Sequence, residues 1–166
     1  MKKLVLVMLL ASIVTGLYAQ KKSDLPNVTV KTLDGKNVNV ATLSNDGKPF
    51  ILAFWDIHCA NCIKEHNKLN ELYPDWQAET GVKIFSVNTD DSRATAEVKP
   101  FVYGRDWDFE FLLDVNKDLD RAMNVNNMHP HTFLFDGNGK MVYQHSGFYA
   151  GDEVELYNEI LKAIKK

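Results

Sequence analysis

Cysteine is scarce in this sequence: the 166 residues contain two, Cys59 and Cys62, and only two residues separate them. A bridge across so short a loop constrains the unfolded chain very little, so the pair is a poor structural staple. The count alone excludes a framework of several disulfides. Reversible chemistry is the better explanation for the pair.

The apolar run at the start of the chain, residues 4–14, is too short to span a bilayer comfortably. Basic Lys2 and Lys3 precede it and the small Ala19 follows it, an order typical of a secretory signal peptide. We therefore expect a signal peptide over residues 1–19 and secretion across the inner membrane into the periplasm. The absence of a cysteine after the run excludes a lipid-anchored cysteine there. An uncleaved membrane anchor is the alternative.

Basic residues do not predominate: 19 Lys and Arg stand against 22 Asp and Glu, a formal net charge of −3. Loss of the signal peptide removes two lysines and no acid, which makes the mature chain more negative. This balance argues against nucleic acid or an anionic membrane face as the main partner. Internal repeats and low-complexity tracts are absent, and residues 24–166 are enough for one domain with a core.

Strands are predicted where apolar residues alternate with polar ones or form short runs. Residues 28–30 and 38–40 flank Asp34-Gly35 and predict a β-hairpin. Further strands are predicted at residues 49–55, 82–87, 109–113, 131–135 and 141–145, the last two joined as a second hairpin. Helices are predicted in the intervals after residues 59, 92 and 116 and at the C-terminal end. This alternation predicts an α/β fold with a mixed central sheet and helices on both faces.

Two helices show a clear apolar face. The helix after the cysteines is expected to present one face formed by Cys62, His66, Leu69, Tyr73 and Trp76. Pro74 is expected to kink or interrupt this helix near Leu72, and Pro100 to disturb the following one. The C-terminal helix is expected to bury a face formed by Val154, Tyr157, Ile160, Leu161 and Ile164.

The two cysteines lie where a predicted strand, residues 49–55, passes into a predicted helix. This junction places the sulfur of Cys59 over the helix N-terminus, where unpaired N–H groups and the helix dipole favour a thiolate. A thiolate is the species that attacks disulfides. The position of the pair therefore indicates redox chemistry.

This layout resembles the thioredoxin superfamily, and more closely the exported TlpA/ResA-like thiol–disulfide oxidoreductases. The resemblance covers nearly all of residues 24–166 and rests on residues 33–36, 47–49, 54–55, 59, 62, 87–88, 112–114 and 130–135. It implies a thioredoxin-like three-layer sandwich with an N-terminal β-hairpin extension, and an enzyme without a cofactor or a metal. It also implies protein disulfide substrates, such as apocytochromes or other exported thiol proteins, and a membrane thiol protein that donates electrons.

The resemblance implies roles for five residues. Cys59 is the exposed nucleophile and Cys62 the resolving thiol. Pro130 is a cis-proline that faces the disulfide, and the backbone of His129 pairs with an extended substrate peptide by strand addition. Glu65 matches an acid that this subfamily places near the sulfurs, where it can accept or return the proton of the resolving thiol.

The sequence also departs from the family pattern. Thioredoxin has a buried Asp two residues before the tryptophan of the strand, and Ala53 occupies that position here, which leaves Glu65 as the nearest acid. His58 replaces the usual tryptophan before the first cysteine, and Asn61 replaces the usual proline before the second. His131 replaces a common threonine after the cis-proline. The reduction potential of the pair is therefore not set by the resemblance.

Three residues near the pair each have two alternative roles. His58, when protonated, would stabilise the thiolate of Cys59 and tune its pKa, or it is an exposed residue with little effect. Glu65 is a functional acid or a solvated helix charge. His66 is a proton partner of Cys62 or a half-buried packing residue.

Two other functions remain open for the pair. A thiol peroxidase of related fold would need Thr or Ser three residues before its reactive cysteine, where this chain has Asp56. A metal-binding chaperone would complete a tetrahedral site with histidines, and His66, His129 and His131 are the candidates. The context of strand, Cys-x-x-Cys and helix favours thiol–disulfide exchange over both.

Overall fold

The computed structural model describes residues 23–165, and the predicted signal peptide lies outside the described residues. Within this range the elements follow in the order β1 (Thr29–Thr32), β2 (Asn37–Asn39), β3 (Phe50–Trp55), α1 (Ala60–Thr80), β4 (Lys83–Asn88), α2 (Thr95–Tyr103), β5 (Glu110–Leu113), α3 (Asp118–Ala122), β6 (His131–Phe135), β7 (Met141–Ser146) and α4 (Asp152–Ala163). A short 3-10 turn, Val40–Thr42, follows β2. Among these residues, no helix combines the length and apolar character needed to cross a membrane.

The strands form one mixed sheet of seven strands in the order β2-β1-β5-β4-β3-β6-β7. Strands β3, β4 and β5 are parallel to one another. On one side β6 pairs antiparallel with β3 and β7 antiparallel with β6, and on the other side β1 pairs antiparallel with β5 and β2 antiparallel with β1. All six residues of the central strand β3 are buried, as its continuous apolar run predicts. The mixed sheet and the added N-terminal hairpin are confirmed.

Helices cover both faces of the sheet. On one face, Ile51 of β3 belongs to the same buried cluster as Leu69 of α1 and Ile160 of α4. On the other face, Phe54 of β3 clusters with Leu119 of α3. Alternate side chains of one strand therefore support opposite layers. The predicted three-layer arrangement of the thioredoxin type is confirmed.

Helix α1 continues through Pro74 as a single helix of 21 residues, so the predicted interruption was wrong. Proline inside a helix costs about 3 kcal/mol because it removes a backbone hydrogen bond and crowds the preceding turn. Tyr73 and Trp76, on either side of Pro74, are buried against the core. Each buried aromatic side chain contributes roughly 1.5–3 kcal/mol, and together they offset the proline. Helix α2 likewise contains Pro100.

The buried face of α4 is shifted from the predicted one. Leu156, Ile160 and Ala163 are buried, whereas Val154 and Ile164 are 59% and 42% exposed. The predicted face was therefore wrong at its two ends. Contact with α1 selects the observed face, where Tyr157 stacks on Trp76 with ring centroids 5.4 Å apart.

Candidate active site

A disulfide joins Cys59 to Cys62 at the point where β3 passes into α1. Cys59 is the N-cap of α1, and its Sγ accepts a hydrogen bond from the backbone N–H of Cys62 at 3.1 Å. The first turn of α1 contains no acidic residue. The partial positive charge of the helix N-terminus therefore acts on the sulfur of Cys59 without a competing carboxylate in that turn, and favours its thiolate on reduction.

The two sulfurs differ in access to solvent. Cys62 is fully buried, whereas Cys59 is half-buried. Beneath them, Cys62 packs in an apolar cluster that includes Trp55 and Trp107, whose rings meet edge to face at 5.4 Å. A substrate that approaches from solvent therefore reaches Cys59 first, and buried apolar side chains pack behind the disulfide.

His58 lies exposed next to Cys59. Its backbone N–H donates to Oδ1 of Asp56 at 2.9 Å, and the backbone carbonyl of Asp56 accepts from the N–H of Cys59 at 3.2 Å. These bonds shape the turn before the helix. The proposed tuning of the Cys59 pKa by the His58 ring stays a prediction.

His66 is fully buried one turn beyond Cys62. Its Nδ1 lies 3.1 Å from the carbonyl oxygen of Cys62, which can only accept, so Nδ1 carries the proton. Its Nε2 then accepts from the hydroxyl of Ser86 at 2.8 Å. Burial lowers the pKa of His66 from 6.5 to about 3. Its packing role is confirmed, and the ring is fully buried rather than half-buried.

Glu65 is also buried and only 1% exposed, although a charged residue on the helix after Cys62 would ordinarily lie at the surface. Its Oε1 accepts a hydrogen bond from the hydroxyl of Thr132 at 2.9 Å and lies 3.1 Å from Nε2 of His145. The alternative of a solvated helix charge is therefore wrong. Among the described residues, its second oxygen, Oε2, is buried without a hydrogen-bond partner.

The loop before β6 contains a cis peptide bond between His129 and Pro130, as the resemblance implied. Strand β6 then starts at His131, directly opposite Phe54 of β3. Because β3 ends at Trp55, shortly before the cysteines, the loop lies at the same end of the sheet as the disulfide.

The side chain of His129 bridges two acids that sequence reasoning missed as site residues. Its Nδ1 lies 3.2 Å from Oδ2 of Asp56, and its Nε2 lies 3.2 Å from Oδ2 of the buried Asp120. The hydrogen bond from His129 is the largest cause that holds the pKa of Asp56 below its usual value, against an opposing effect of burial. This contact ties the proline loop to the turn that leads into Cys59.

Open recesses flank the cysteine turn on both sides. One, about 370 Å³, is lined by residues that include His58 and Arg93. The other, about 510 Å³, is lined by residues that include Asn61, Lys64 and Tyr149, and the Tyr149 side chain is 75% exposed. Both recesses therefore border the cysteine turn.

The histidines considered as metal ligands engage other groups. His66 bonds to the Cys62 carbonyl and Ser86, and His129 lies between its two acids. Within the part of the chain that the structure describes, no group of three or more His, Cys, Asp or Glu side chains is arranged to hold a metal ion.

Known proteins are similar to this chain in sequence and in fold. The sequence pattern of the AhpC/TSA family matches residues 22–144. The thiol-disulfide oxidoreductase ResA of Bacillus anthracis is 32% identical over 147 residues, which cover 86% of this chain and 82% of that protein. The thiol:disulfide interchange protein DsbE of Vibrio cholerae is 37% identical over 101 residues, 61% of this chain and 51% of that protein.

A solved structure supports the same assignment. The solution structure of an uncharacterized thioredoxin-like protein from Porphyromonas gingivalis is 42% identical, with a TM-score of 0.77, and the match covers 86% of this chain and 93% of that one. The resemblance drawn from the sequence is confirmed. With a disulfide that caps its first long helix, this chain belongs to the AhpC/TSA family, and it is a thioredoxin-like thiol–disulfide oxidoreductase.

Proposed function

We propose that this enzyme reduces disulfides of exported proteins, with Cys59 as the attacking thiolate and Cys62 as the resolving thiol. The observation that carries the proposal is the asymmetry of the pair: Cys59 is the half-buried N-cap of α1, whereas Cys62 is fully buried. A nucleophile must be ionised and accessible, and a resolving thiol must be close and protected from other partners.

The reaction takes place in two exchanges. The Cys59 thiolate attacks one sulfur of the substrate disulfide, that bond breaks, and the departing substrate thiolate takes up a proton. Cys62 then gives its proton to Glu65 and attacks the sulfur of Cys59, which releases the second substrate thiol. Two electrons pass from the cysteine pair to the substrate, and the enzyme disulfide forms.

The position of Glu65 supports its role as the base of the second exchange. It follows Cys62 by three residues on α1, the spacing at which helix side chains are neighbours. Its carboxylate is buried, and Oε2 has no partner among the described residues. A free, buried carboxylate oxygen on the same face of the helix is suited to receive a thiol proton.

Substrate docking is assigned to the proline loop. The backbone of His129 would pair with an extended segment of the substrate beside Pro130, a mode that demands little of the substrate sequence. The loop's position at the disulfide end of the sheet, and its contact with Asp56, support this role. The exposed His58 would stabilise the Cys59 thiolate when protonated.

The direction and location of the reaction complete the proposal. The N-terminal sequence favours export to the periplasm, which is an oxidising compartment, so a reductase there needs electrons from a membrane thiol protein. Apocytochromes and other exported thiol proteins are the substrates in this scheme. The related proteins named ResA and DsbE support the reaction class.

Insulin reduction with Cys59→Ser and Cys62→Ser variants tests the mechanism. We expect Cys59→Ser to lose activity, and Cys62→Ser to accumulate a mixed disulfide that non-reducing electrophoresis detects. Undiminished activity of Cys59→Ser would sink the proposal. Peroxide consumption without thiol exchange would favour a peroxidase instead.

The reduction potential of the pair tests the direction. A value near thioredoxin's, about −270 mV, supports a reductase, and a value near about −120 mV indicates an oxidant. Equilibration with glutathione or dithiothreitol buffers, read by alkylation of the free thiols, measures it.

A further inference from the structure

The recess beside Asn61 has walls from two separate parts of the chain. Asn61, which lies between the two cysteines, starts one wall, and Lys64 and Lys68 continue it along α1. Phe148 and Tyr149 form the other wall, in the loop between β7 and α4. We call this space the Tyr149 recess, and its volume of about 510 Å³ is sufficient for a short peptide segment.

The aromatic wall is fastened to the proline loop. The backbone N–H of Gly147 donates to the carbonyl oxygen of Pro130 at 2.8 Å. A Cβ at Gly147 would lie 3.5 Å from Cε2 of Tyr149, so the tyrosine ring lies close to this junction. On the other side of the ring, the backbone N–H of Tyr149 donates to Oδ2 of Asp152 at 2.7 Å, at the start of α4. The Tyr149 recess therefore adjoins the loop to which substrate docking is assigned.

The ring of Tyr149 is left open to solvent. Its exposed fraction of 75% exceeds that of every other exposed large apolar side chain in residues 23–165, and Tyr103 follows with 62%. Aromatic residues are enriched in protein interfaces, where they bury a large area and lose little conformational entropy. An exposed ring beside the cysteine turn can therefore pack against an apolar side chain that lies near the disulfide of a substrate.

Lys64 supplies the available charge of the Tyr149 recess. It is exposed, makes no ion pair within residues 23–165, and has no acid three or four residues away on α1. Lys68, in contrast, pairs with Glu71 at 3.1 Å. The acid among the described lining residues is Glu153, and it accepts a hydrogen bond from the backbone N–H of Gly151 at 3.0 Å. Lys64 is therefore the cation that a partner can engage.

The other recess beside the cysteine turn has the opposite balance of charge. Three acids line it against two cations, namely Asp56, Asp90 and Asp91 against Arg93 and Lys117. Arg93 is already paired with Asp91 at 2.7 Å. An acidic segment would therefore be disfavoured on that side of the turn and favoured in the Tyr149 recess.

We propose that the Tyr149 recess binds a segment of the substrate protein that carries an acidic side chain close to its disulfide, with an apolar side chain beside the acid. Lys64 attracts the acid, and Tyr149 packs against the apolar side chain. The inference rests on the proposed exchange at Cys59 and adds a preference among its substrates. It identifies Lys64 and Tyr149 as residues that determine specificity.

Short peptides test this preference on the reduced enzyme. Each peptide carries one cysteine in a mixed disulfide with nitrothiobenzoate, which becomes a coloured thiolate when the cysteine pair reduces that bond. One nearby position holds Glu, Gln or Lys, and it is moved stepwise away from the cysteine on each side. At the best position, we expect the second-order rate constant for the Glu peptide to exceed that for the Gln peptide by about threefold to fivefold, the range for one exposed ion pair.

Substitutions at Lys64 assign the preference to the recess. Lys64→Gln should bring the ratio of the Glu and Gln rate constants to about one, and Lys64→Glu should make the Lys peptide the preferred one. The matched control Lys36→Gln removes a lysine from the turn between β1 and β2, at the opposite edge of the sheet from β7, and should keep the ratio. If the ratio survives in Lys64→Gln, or is lost in Lys36→Gln as well, the proposal is overturned.

The apolar contact has a matched pair of variants. With Phe instead of Ala beside the Glu of the peptide, wild type should react about threefold faster. Tyr149→Ala should lose this gain, whereas Tyr103→Ala, an exposed tyrosine at the end of α2, should retain it. A gain that persists in Tyr149→Ala contradicts the role of this ring.

The unaltered enzyme provides an independent measurement. At about 1 M salt the screening length falls to about 3 Å, so the preference for Glu should disappear while the gain from Phe remains. If wild type reduces the peptides but shows no preference for Glu at any position in low salt, this proposal fails and the exchange mechanism stands. If wild type releases no coloured thiolate, or Cys59→Ser releases it equally fast, the proposed function itself fails.

Discussion

The buried imidazole of His66 should make the fold sensitive to mild acid. Its Nδ1–H donates to the Cys62 carbonyl and its Nε2 accepts from Ser86, so the neutral ring satisfies both partners. Burial lowers its pKa to about 3 in the folded protein, against 6.5 when exposed. Between pH 3 and pH 6.5, the unfolded chain therefore binds a proton at His66, whereas the folded chain does not.

Proton linkage gives the direction and the size of the change in unfolding free energy with pH. Because the folded pKa is depressed, the contribution of His66 to stability is present above pH 6.5 and is lost progressively as pH falls toward 3. Each pH unit in this window costs about 1.4 kcal/mol per proton. Between pH 7 and pH 5 the wild type should therefore lose about 2 kcal/mol of unfolding free energy through His66 alone.

Urea unfolding of the oxidised protein at pH 7 and pH 5 measures this loss. The variant His66→Gln does not titrate, so it should be less stable than wild type at pH 7, and the gap should narrow by about 2 kcal/mol at pH 5. Far-UV circular dichroism is a better signal than tryptophan fluorescence, because a substitution at His66 can change the fluorescence directly. The ring centroid of His66 lies 5.2 Å from that of Trp55 and 5.0 Å from that of Trp107. Effects of the carboxylates are common to both proteins and cancel.

A matched substitution provides the control. Asn61 is exposed and does not titrate, so the difference in unfolding free energy between Asn61→Gln and wild type should be the same at both pH values. If the gap between wild type and His66→Gln stays constant to within about 0.5 kcal/mol, the reasoning about the buried neutral ring is refuted.

Two further predictions concern a loop contact and a titration. A Cβ at Gly137 would lie 1.9 Å from the carbonyl oxygen of Gly47, so Gly137→Ala should lower the free energy of unfolding in urea by about 3 kcal/mol. The control Gly35→Ala, at a φ of +79° with open space around it, should lower it by about 1 kcal/mol. Equal losses in the two variants would contradict the packing argument. The carboxyl ¹³C signal of Asp56 should titrate below pH 3.8, because the ring of His129 donates to it, and His129→Phe should move that midpoint upward; an unmoved midpoint would show that another group depresses the pKa.

Local sequence rules predicted much of the fold and the centre of the site. The alternation of strands and helices, the buried β3 and the position of Cys59 at the start of α1 all depend on short-range patterns, and all are found. The same rules were wrong at Pro74, where the burial of Tyr73 and Trp76 keeps the helix intact. Local propensity is a weak effect, and tertiary packing overrides it there.

The sequence by itself determined that a single reactive cysteine pair lies at a strand-to-helix junction, because both the pattern and the helix-terminus effect act over a few residues. Tertiary structure alone decided which side chains from distant parts of the chain contact the residues around that pair. Glu65 meets His145 across 80 residues of chain, and His129 meets Asp56 across 73. The register of β3, β6 and β7 makes the first contact, and the closeness of the proline loop to the cysteine turn makes the second. Hydrophobic periodicity shows which side of a strand is buried, but it does not specify which strand lies beside it in the sheet.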